Sequence, residues 1–264
     1  MDLHLQNKKA LITGSTAGIG YATAKILAEE GVEIILNGRK ESGVAQAVER
    51  LRLEIPTAKV SGIATDFSKA AEVEGLISQL PEIDILINNV GIYSISSFYD
   101  MPDEEWSRHF EVNVMSGVRL SRALLPKMLK RNWGRIIFIS SECATLVPED
   151  LIAYSMTKTA LLSISRGLAQ LCKGTEVTVN SVLPGSTLTE GAEDFLEDLA
   201  RQEGISVTEA EANFFTNVRT SSLLARFAKV EEVASTISYL CSPLAIATNG
   251  ASIKVDGGST GGII

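Results

Sequence analysis

The sequence has little of what several common chemistries need. Histidine occurs only twice in 264 residues, at His4 and His109. That argues against a histidine-based catalytic triad or zinc site, and no metal is expected. Cys143, Cys172 and Cys241 are an odd, scattered set with no metal-ligand spacing. They suit a reducing compartment better than a disulfide framework. No apolar run approaches the roughly 20 residues of a membrane-spanning helix. Residues 1–9 show no apolar signal-peptide core. There is no long basic run, and the formal net charge is −8, which argues against general nucleic-acid binding. The expectation is a cytoplasmic protein that engages neither membrane nor nucleic acid.

What is present is the composition of an ordinary globular chain, 45% hydrophobic and 21% charged. Its length suffices for one large domain with a well-buried core. Apolar strand-like runs alternate with helical patterns from end to end. Strands are expected near 9–13, 33–36, 59–63, 84–87, 135–139, 177–182 and 252–255. Helices are expected over 19–30, 41–53, 69–79, 103–131 and 151–171, with Pro126 kinking the fourth. Continuous apolar strands separated by helices indicate a Rossmann-like, doubly wound parallel sheet of seven strands, α/β in class, with helices on both faces. No linker or repeat divides it, so residues 1–264 read as a single domain. Residues 186–226 differ: they are charged, partly helical and strandless, as expected of a lid over a site.

Between the first strand and first helix stands Thr13-Gly14-Ser15-Thr16-Ala17-Gly18-Ile19-Gly20. Glycines there allow a tight turn and close approach of a pyrophosphate to a helix N-terminus. The second strand ends in Asn37-Gly38-Arg39-Lys40. With no carboxylate to take the ribose 2′-hydroxyl of NAD, and with the planar fork of Arg39 suited to a 2′-phosphate, NADP is the expected cofactor and NAD the alternative.

Tyr154 and Lys158 stand four residues apart in the helical stretch 151–171, hence on one helix face. An ammonium beside a phenol is expected to lower the tyrosine pKa and make it an acid–base group near neutrality.

Together these features resemble the short-chain dehydrogenase/reductase family, over about Lys8 to Gly258. Gly14, Gly18 and Gly20 match its glycine motif, with Ser15 and Ile19 in the same turn. Asn88-Asn89-Val90-Gly91 resembles its Asn-Asn-Ala-Gly, Val90 being a departure. Ser141 precedes Tyr154 by thirteen residues, the family's interval. Val255-Asp256-Gly257-Gly258 resembles its C-terminal strand ending. The resemblance implies a catalytic tetrad of Asn113, Ser141, Tyr154 and Lys158. Ser141 would position the substrate oxygen and Tyr154 would exchange its proton. Lys158 would also hold the nicotinamide ribose, and Asn113 would keep a relay water. It implies further cofactor contacts from Asp66 to adenine, from Asn89 and Gly91, and from Pro184, Gly185, Thr187 and Thr189. It also implies a homotetramer built on the two long helical regions.

The expected activity is hydride transfer between a nicotinamide cofactor and a small-molecule carbonyl or secondary alcohol. A reductase of 3-oxoacyl groups on an acidic carrier protein is one alternative. Lys127, Lys130, Arg131, Arg135 and Lys173 could form a docking patch, opposed by an acidic rim at 190–211. A non-catalytic dinucleotide-binding regulator is the other. Phe195, Leu196 and Leu199, with Phe214 and Phe215, are expected either to close an apolar pocket or to pack the lid.

Overall fold

The computed structural model describes residues 2–262. Its first half alternates strictly: β1 (Lys9–Ile12), α1 (Gly18–Glu29), β2 (Glu33–Gly38), α2 (Glu41–Glu54), β3 (Val60–Ala64), α3 (Ala70–Gln79) and β4 (Ile85–Asn88). Next come α4 (Asp103–Phe110), a π-helical turn (Glu111–Met115) and α5 (Ser116–Arg131). Beyond them lie β5 (Gly134–Ile139), α6 (Cys143–Leu146), α7 (Ile152–Leu171) and β6 (Val177–Pro184). The last part contains β7 (Thr187–Leu188), α8 (Glu190–Glu203), α9 (Val207–Asn217), β8 (Ala228–Lys229), α10 (Val230–Cys241) and β9 (Ser252–Val255).

Seven strands form one parallel sheet in the order β3-β2-β1-β4-β5-β6-β9. Strand side chains alternate between its faces. Ala10 and Ile12 join one core with Leu27, Ile34, Val233 and Ile237, beneath α1 and α10. Leu11 joins the other with Leu86, Ile136, Phe138, Leu124 and Leu161, beneath α5 and α7. Both faces are thus covered, which is why the strands read as continuous apolar runs. Strand order reverses between β1 and β4, and the crevice beyond their C-terminal ends is where such sheets bind ligands.

The region 103–131 is helical throughout but not uniformly α. Helix α5 runs through Pro126 to Arg131. The interruption lies upstream of the expected proline kink, in the π-helical turn that carries Asn113. An extra residue in one turn rotates the rest of the helix about its axis, and such turns cluster at functional sites. The segment between β7 and β8 holds two helices with a small core of their own, around Leu196, Ala210, Phe215 and Phe227. A capping box between Ser206 and Glu209 starts the second of them. The paired strands β7 and β8, two residues each, close the base of this excursion.

Candidate active site

The turn after β1 is braced from three sides. Asn89 Nδ2 donates to Thr13 O at 3.0 Å and Gly14 O at 2.8 Å. Gly14 N–H donates to Asn37 Oδ1 at 3.2 Å. Ser15 Oγ donates to Ile12 O at 2.7 Å and accepts Asn37 N–H at 2.9 Å. Ser15 is fully buried, so its hydroxyl serves the turn. Gly14 has φ +60°, a left-handed conformation that favours glycine. A Cβ at Gly20 would sit 2.6 Å from Asn89 Nδ2 and from Gly14 O, so that glycine lets α1 pack against the turn. Gly18 opens α1, and its N–H donates to Glu190 Oε2 at 2.9 Å and Oε1 at 3.3 Å.

At the end of β2, Arg39 is exposed. Its charge acts on Asp66, whose carboxyl is held below the usual range chiefly by hydrogen bonds from the Ser68 hydroxyl and backbone, with lesser contributions from Lys69 and Arg39. Arg39 and Asp66 follow the C-terminal ends of the adjacent parallel strands β2 and β3.

The remaining side chains converge at the C-terminal ends of β4, β5 and β6. Ser141 lies just past β5, is buried, and accepts Cys143 N–H at 3.1 Å. Tyr154 lies in the first turn of α7 with Lys158 one turn on. Ser140 Oγ donates to Lys158 O at 2.8 Å and docks that turn onto β5. Lys158 Nζ donates to Ile139 O at 2.9 Å and lies 5.5 Å from the centroid of the Tyr154 ring.

The electrostatics differ from the sequence-based expectation. Burial pushes the Tyr154 phenol up, partly offset by the Ser141 hydroxyl. Burial also brings the Lys158 ammonium down to about 8. Loss of hydration is the largest cause in both groups; Cys143, Tyr93 and Glu142 add to it at Tyr154, and Cys143 opposes it at Lys158. Lys158 does not lower the tyrosine here; its ammonium is turned to the Ile139 carbonyl.

Asn113 also differs. Its Oδ1 accepts Ile92 N–H at 2.7 Å, and its Nδ2 donates to Ile92 O at 2.9 Å and Thr157 Oγ1 at 3.0 Å. The amide clamps the loop after β4 onto α7, a structural role that the sequence did not suggest. Gly91 lies in that loop, and a Cβ there would come within 3.1 Å of Lys158 Nζ. Past β6, Glu142 N–H donates to Pro184 O and Gly185 N–H to Val255 O. Thr187 Oγ1 donates to Gly185 O at 2.9 Å, while Thr189 caps α8.

A cavity of about 560 Å³ joins these parts, running from Gly14 and Ile19 past Gly91 to Tyr154. Phe195 and Phe214 line it, with ring centroids 6.1 Å apart. Leu196 and Phe215 turn the other way into the core of the excursion, with Leu199 packed against it. The aromatic and aliphatic groups expected there are therefore divided between pocket and packing. A smaller cavity of about 430 Å³ lies along α1, beside Lys25, Arg50 and Glu54, and is lined by Gly18 and Glu190.

Two residues of the site, Arg219 and Glu190, were not singled out by sequence as site residues. Glu142 was expected only among the residues after Ser141 that line the pocket, and it is not part of the cavity lining. Glu142, next to Ser141, is buried and accepts Arg219 Nε–H at 3.1 Å; Arg219 lines the large cavity. Glu190, counted above only in the acidic rim, holds Gly18. No periodicity marks such pairs, since they join residues 77 and 172 positions apart. The supposed basic patch also changes: Arg135 is fully buried, and Arg131 is paired with Glu82 and Asp84.

The family model for short chain dehydrogenase matches residues 8–200. The chain belongs to the short-chain dehydrogenase family. It is 48% identical to the uncharacterized oxidoreductase YvaG of Bacillus subtilis, over 98% of both chains. It is 33% identical to D-beta-hydroxybutyrate dehydrogenase of Cupriavidus necator, over 96% of this chain and 98% of that one. Among solved structures, L-sorbose reductase of Gluconobacter frateurii, complexed with NADPH and L-sorbose, superposes with a TM-score of 0.93 at 31% identity, over 100% of both chains. The protein is accordingly an oxidoreductase of this family, acting on alcohol and carbonyl groups.

Proposed function

We propose that the protein is an NADP-dependent reductase of a free small-molecule ketone, running also as a secondary alcohol dehydrogenase. The observation that carries this reading is the meeting of Ser141, Tyr154 and Lys158 in one cavity that begins at the Gly14 turn. The residues fit a dinucleotide. The left-handed Gly14 and the bare Gly91 leave a path where a side chain would collide with Val90 or Lys158. Arg39 and Asp66 would hold the 2′-phosphate and adenine end; Gly14, Gly18, Ile19 and Gly20 the pyrophosphate turn. Asn89 braces that turn from behind. Pro184, Gly185, Thr187 and Thr189 would frame the nicotinamide end. The presence of NADPH in a relative of the same fold supports NADP over NAD.

The cofactor supplies hydride to the substrate carbon; the chain does the rest. Ser141 Oγ donates to the substrate oxygen and fixes its direction. Tyr154 Oη gives that oxygen its proton on reduction and takes it back on oxidation. Burial keeps the phenol protonated, which suits a proton donor. Lys158, poised near pH 8, restores the proton and holds the ribose beside it. Asn113 is a positioning residue that keeps Gly91 and Ile92 in register with α7. Phe195 and Phe214 exclude water from the reacting atoms, with residues 186–226 acting as the lid of a single catalytic domain.

A carrier-linked substrate is disfavoured because two of the five basic residues that would receive the carrier are buried or ion-paired. A purely regulatory role is disfavoured because the tyrosine, serine and lysine all face one cavity. The three buried free thiols suit the cytoplasm. Phe110 and Met156, 41% and 36% exposed beside or on the two long helical regions, suit a homotetramer assembled there. The test is turnover of a ketone panel with NADPH and with NADH. Reduction of at least one free ketone, faster with NADPH, is expected; activity only with carrier-bound thioesters would overturn the reading.

A further inference from the structure

Arg219 is a charged feature of the large cavity that proton and hydride transfer leave unused. It stands two residues beyond α9, where its backbone N–H donates to Phe214 O at 2.9 Å. Its side chain is only 18% exposed. The guanidinium carbon lies 5.8 Å from the centroid of Phe214, itself a wall of the cavity. On the side away from the cavity, Nε–H donates to Oε1 of Glu142 at 3.1 Å. Glu142 is 3% exposed, and its Oε2 has no hydrogen-bond partner among the described residues. The nearby buried carboxylate, Asp256, is engaged by Gly258 N–H and by the N–H and hydroxyl of Thr260.

The pairing is therefore single-toothed. It fixes the plane of the guanidinium through Nε and leaves both terminal nitrogens without an acceptor among the described residues. A guanidinium has five N–H donors in a rigid fork, matched by the two oxygens of a carboxylate. Neither terminal nitrogen is among the buried polar atoms left without a partner, so both reach the open cavity, where a substrate carboxylate could take them in a two-toothed, charge-assisted pair. Among the described residues, no aspartate or glutamate lines the cavity, and the cations that line it are Lys158 and Arg219. Lys158 stands under Tyr154 at the reacting end, and Arg219 stands with Phe214 and Phe227 at the lid end. Between them the walls are mostly apolar, with Tyr93, Ile95, Leu151 and Phe195.

We infer that Arg219, held by Glu142, binds a carboxylate of the substrate, so that the compound reduced is an oxo acid with an apolar body. This deepens the reductase reading and rests on it for the chemistry, but not for the binding. Arg219 would set specificity by direct contact with the substrate; Glu142, whose Oε1 also accepts the Ser186 hydroxyl at 3.4 Å, would be a positioning residue that acts through Arg219.

The probes are acetoacetate, levulinate and benzoylacetate, each beside its methyl ester, which keeps the ketone and removes the charge. Binding to the enzyme loaded with NADP is measured by calorimetry, and turnover separately with NADPH. At least one acid should bind about 30-fold tighter than its ester, the scale of a buried, hydrogen-bonded charge pair. In Arg219→Met that ratio should fall to about threefold or less, because the fork and its charge are gone. Arg219→Lys, which keeps charge but not the fork, should fall between the two, and it carries the test if the methionine variant does not fold. Equal binding of acids and esters by the wild type, or a ratio unchanged in Arg219→Lys, overturns the inference. Tight acid binding with no ketone turned over would instead retain the inference and overturn the reductase reading.

Discussion

The carboxylate of Glu190, first residue of α8, accepts the backbone N–H of Gly18, first residue of α1, at 2.9 Å. An anion at a helix N-terminus is favourable, and this is the helix end at which a dinucleotide phosphate is expected. A side chain of the excursion thus occupies one of the donors that the cofactor turn has to offer. It also places a negative charge where a pyrophosphate would add two more. Glu190→Gln keeps the shape and removes the charge. NADPH should then bind about two- to fivefold tighter in fluorescence titration, the effect of one like charge near a helix end. Weaker binding in the variant would mean that the carboxylate fastens the excursion over the cofactor.

Arg39→Ala tests the choice of nucleotide. A hydrogen bond to a charged group contributes about 1.5–3 kcal/mol, so kcat/KM with NADPH should fall at least about tenfold, with little change for NADH. Introducing a carboxylate at Gly38 is a poorer test. A Cβ there would sit 2.6 Å from Thr16 Cγ2 and 3.2 Å from Val44 Cγ2, so lost affinity could reflect crowding alone. A wild type that already prefers NADH would contradict the role given to Arg39.

The sheet was readable from sequence because both its faces are buried, which writes each strand as an apolar run. The glycine turn and the Tyr154–Lys158 spacing were readable because local geometry dictates them. Strands β7 and β8, of two residues each, have no period to detect. The π-helical turn at Asn113, which packs against α7, has no recognisable mark in the composition of Glu111–Met115. The direction of the Tyr154 shift escaped the sequence for a related reason. Spacing fixes which charge is near, but desolvation depends on what the rest of the fold packs around it. Glu142–Arg219 and Glu190–Gly18 join distant segments, and only the folded chain brings them together.

Lys158 gives a stability test with a defined pH window. Its folded-state pKa is lowered to about 8, against about 10.4 in an unfolded chain. Below pH 8 the ammonium is charged in both states, and the fold carries the full cost of burying it. As pH rises through 8 the folded state loses its proton first, and the cost is relieved until the unfolded chain also titrates. Lys158→Met should therefore be the more stable protein at pH 7, by about 1–3 kcal/mol. The gap in urea denaturation should narrow between about pH 8 and pH 10. Equal stability across that range would show that the Ile139 hydrogen bond compensates for lost hydration.

The proton exchanged by Tyr154 is central to the proposed chemistry, and Tyr154→Phe addresses it most directly. The ring is kept, so its edge contact with Tyr93, at 6.1 Å between centroids, and the wall of the cavity should persist. The measurement is kcat for a ketone that the wild type reduces, with NADPH affinity determined on the same preparation. Loss of a positioned general acid should lower kcat at least about 100-fold, with NADPH affinity essentially unchanged. A variant that binds NADPH normally and turns over within about tenfold of the wild type, less than a general acid contributes, would contradict the assignment.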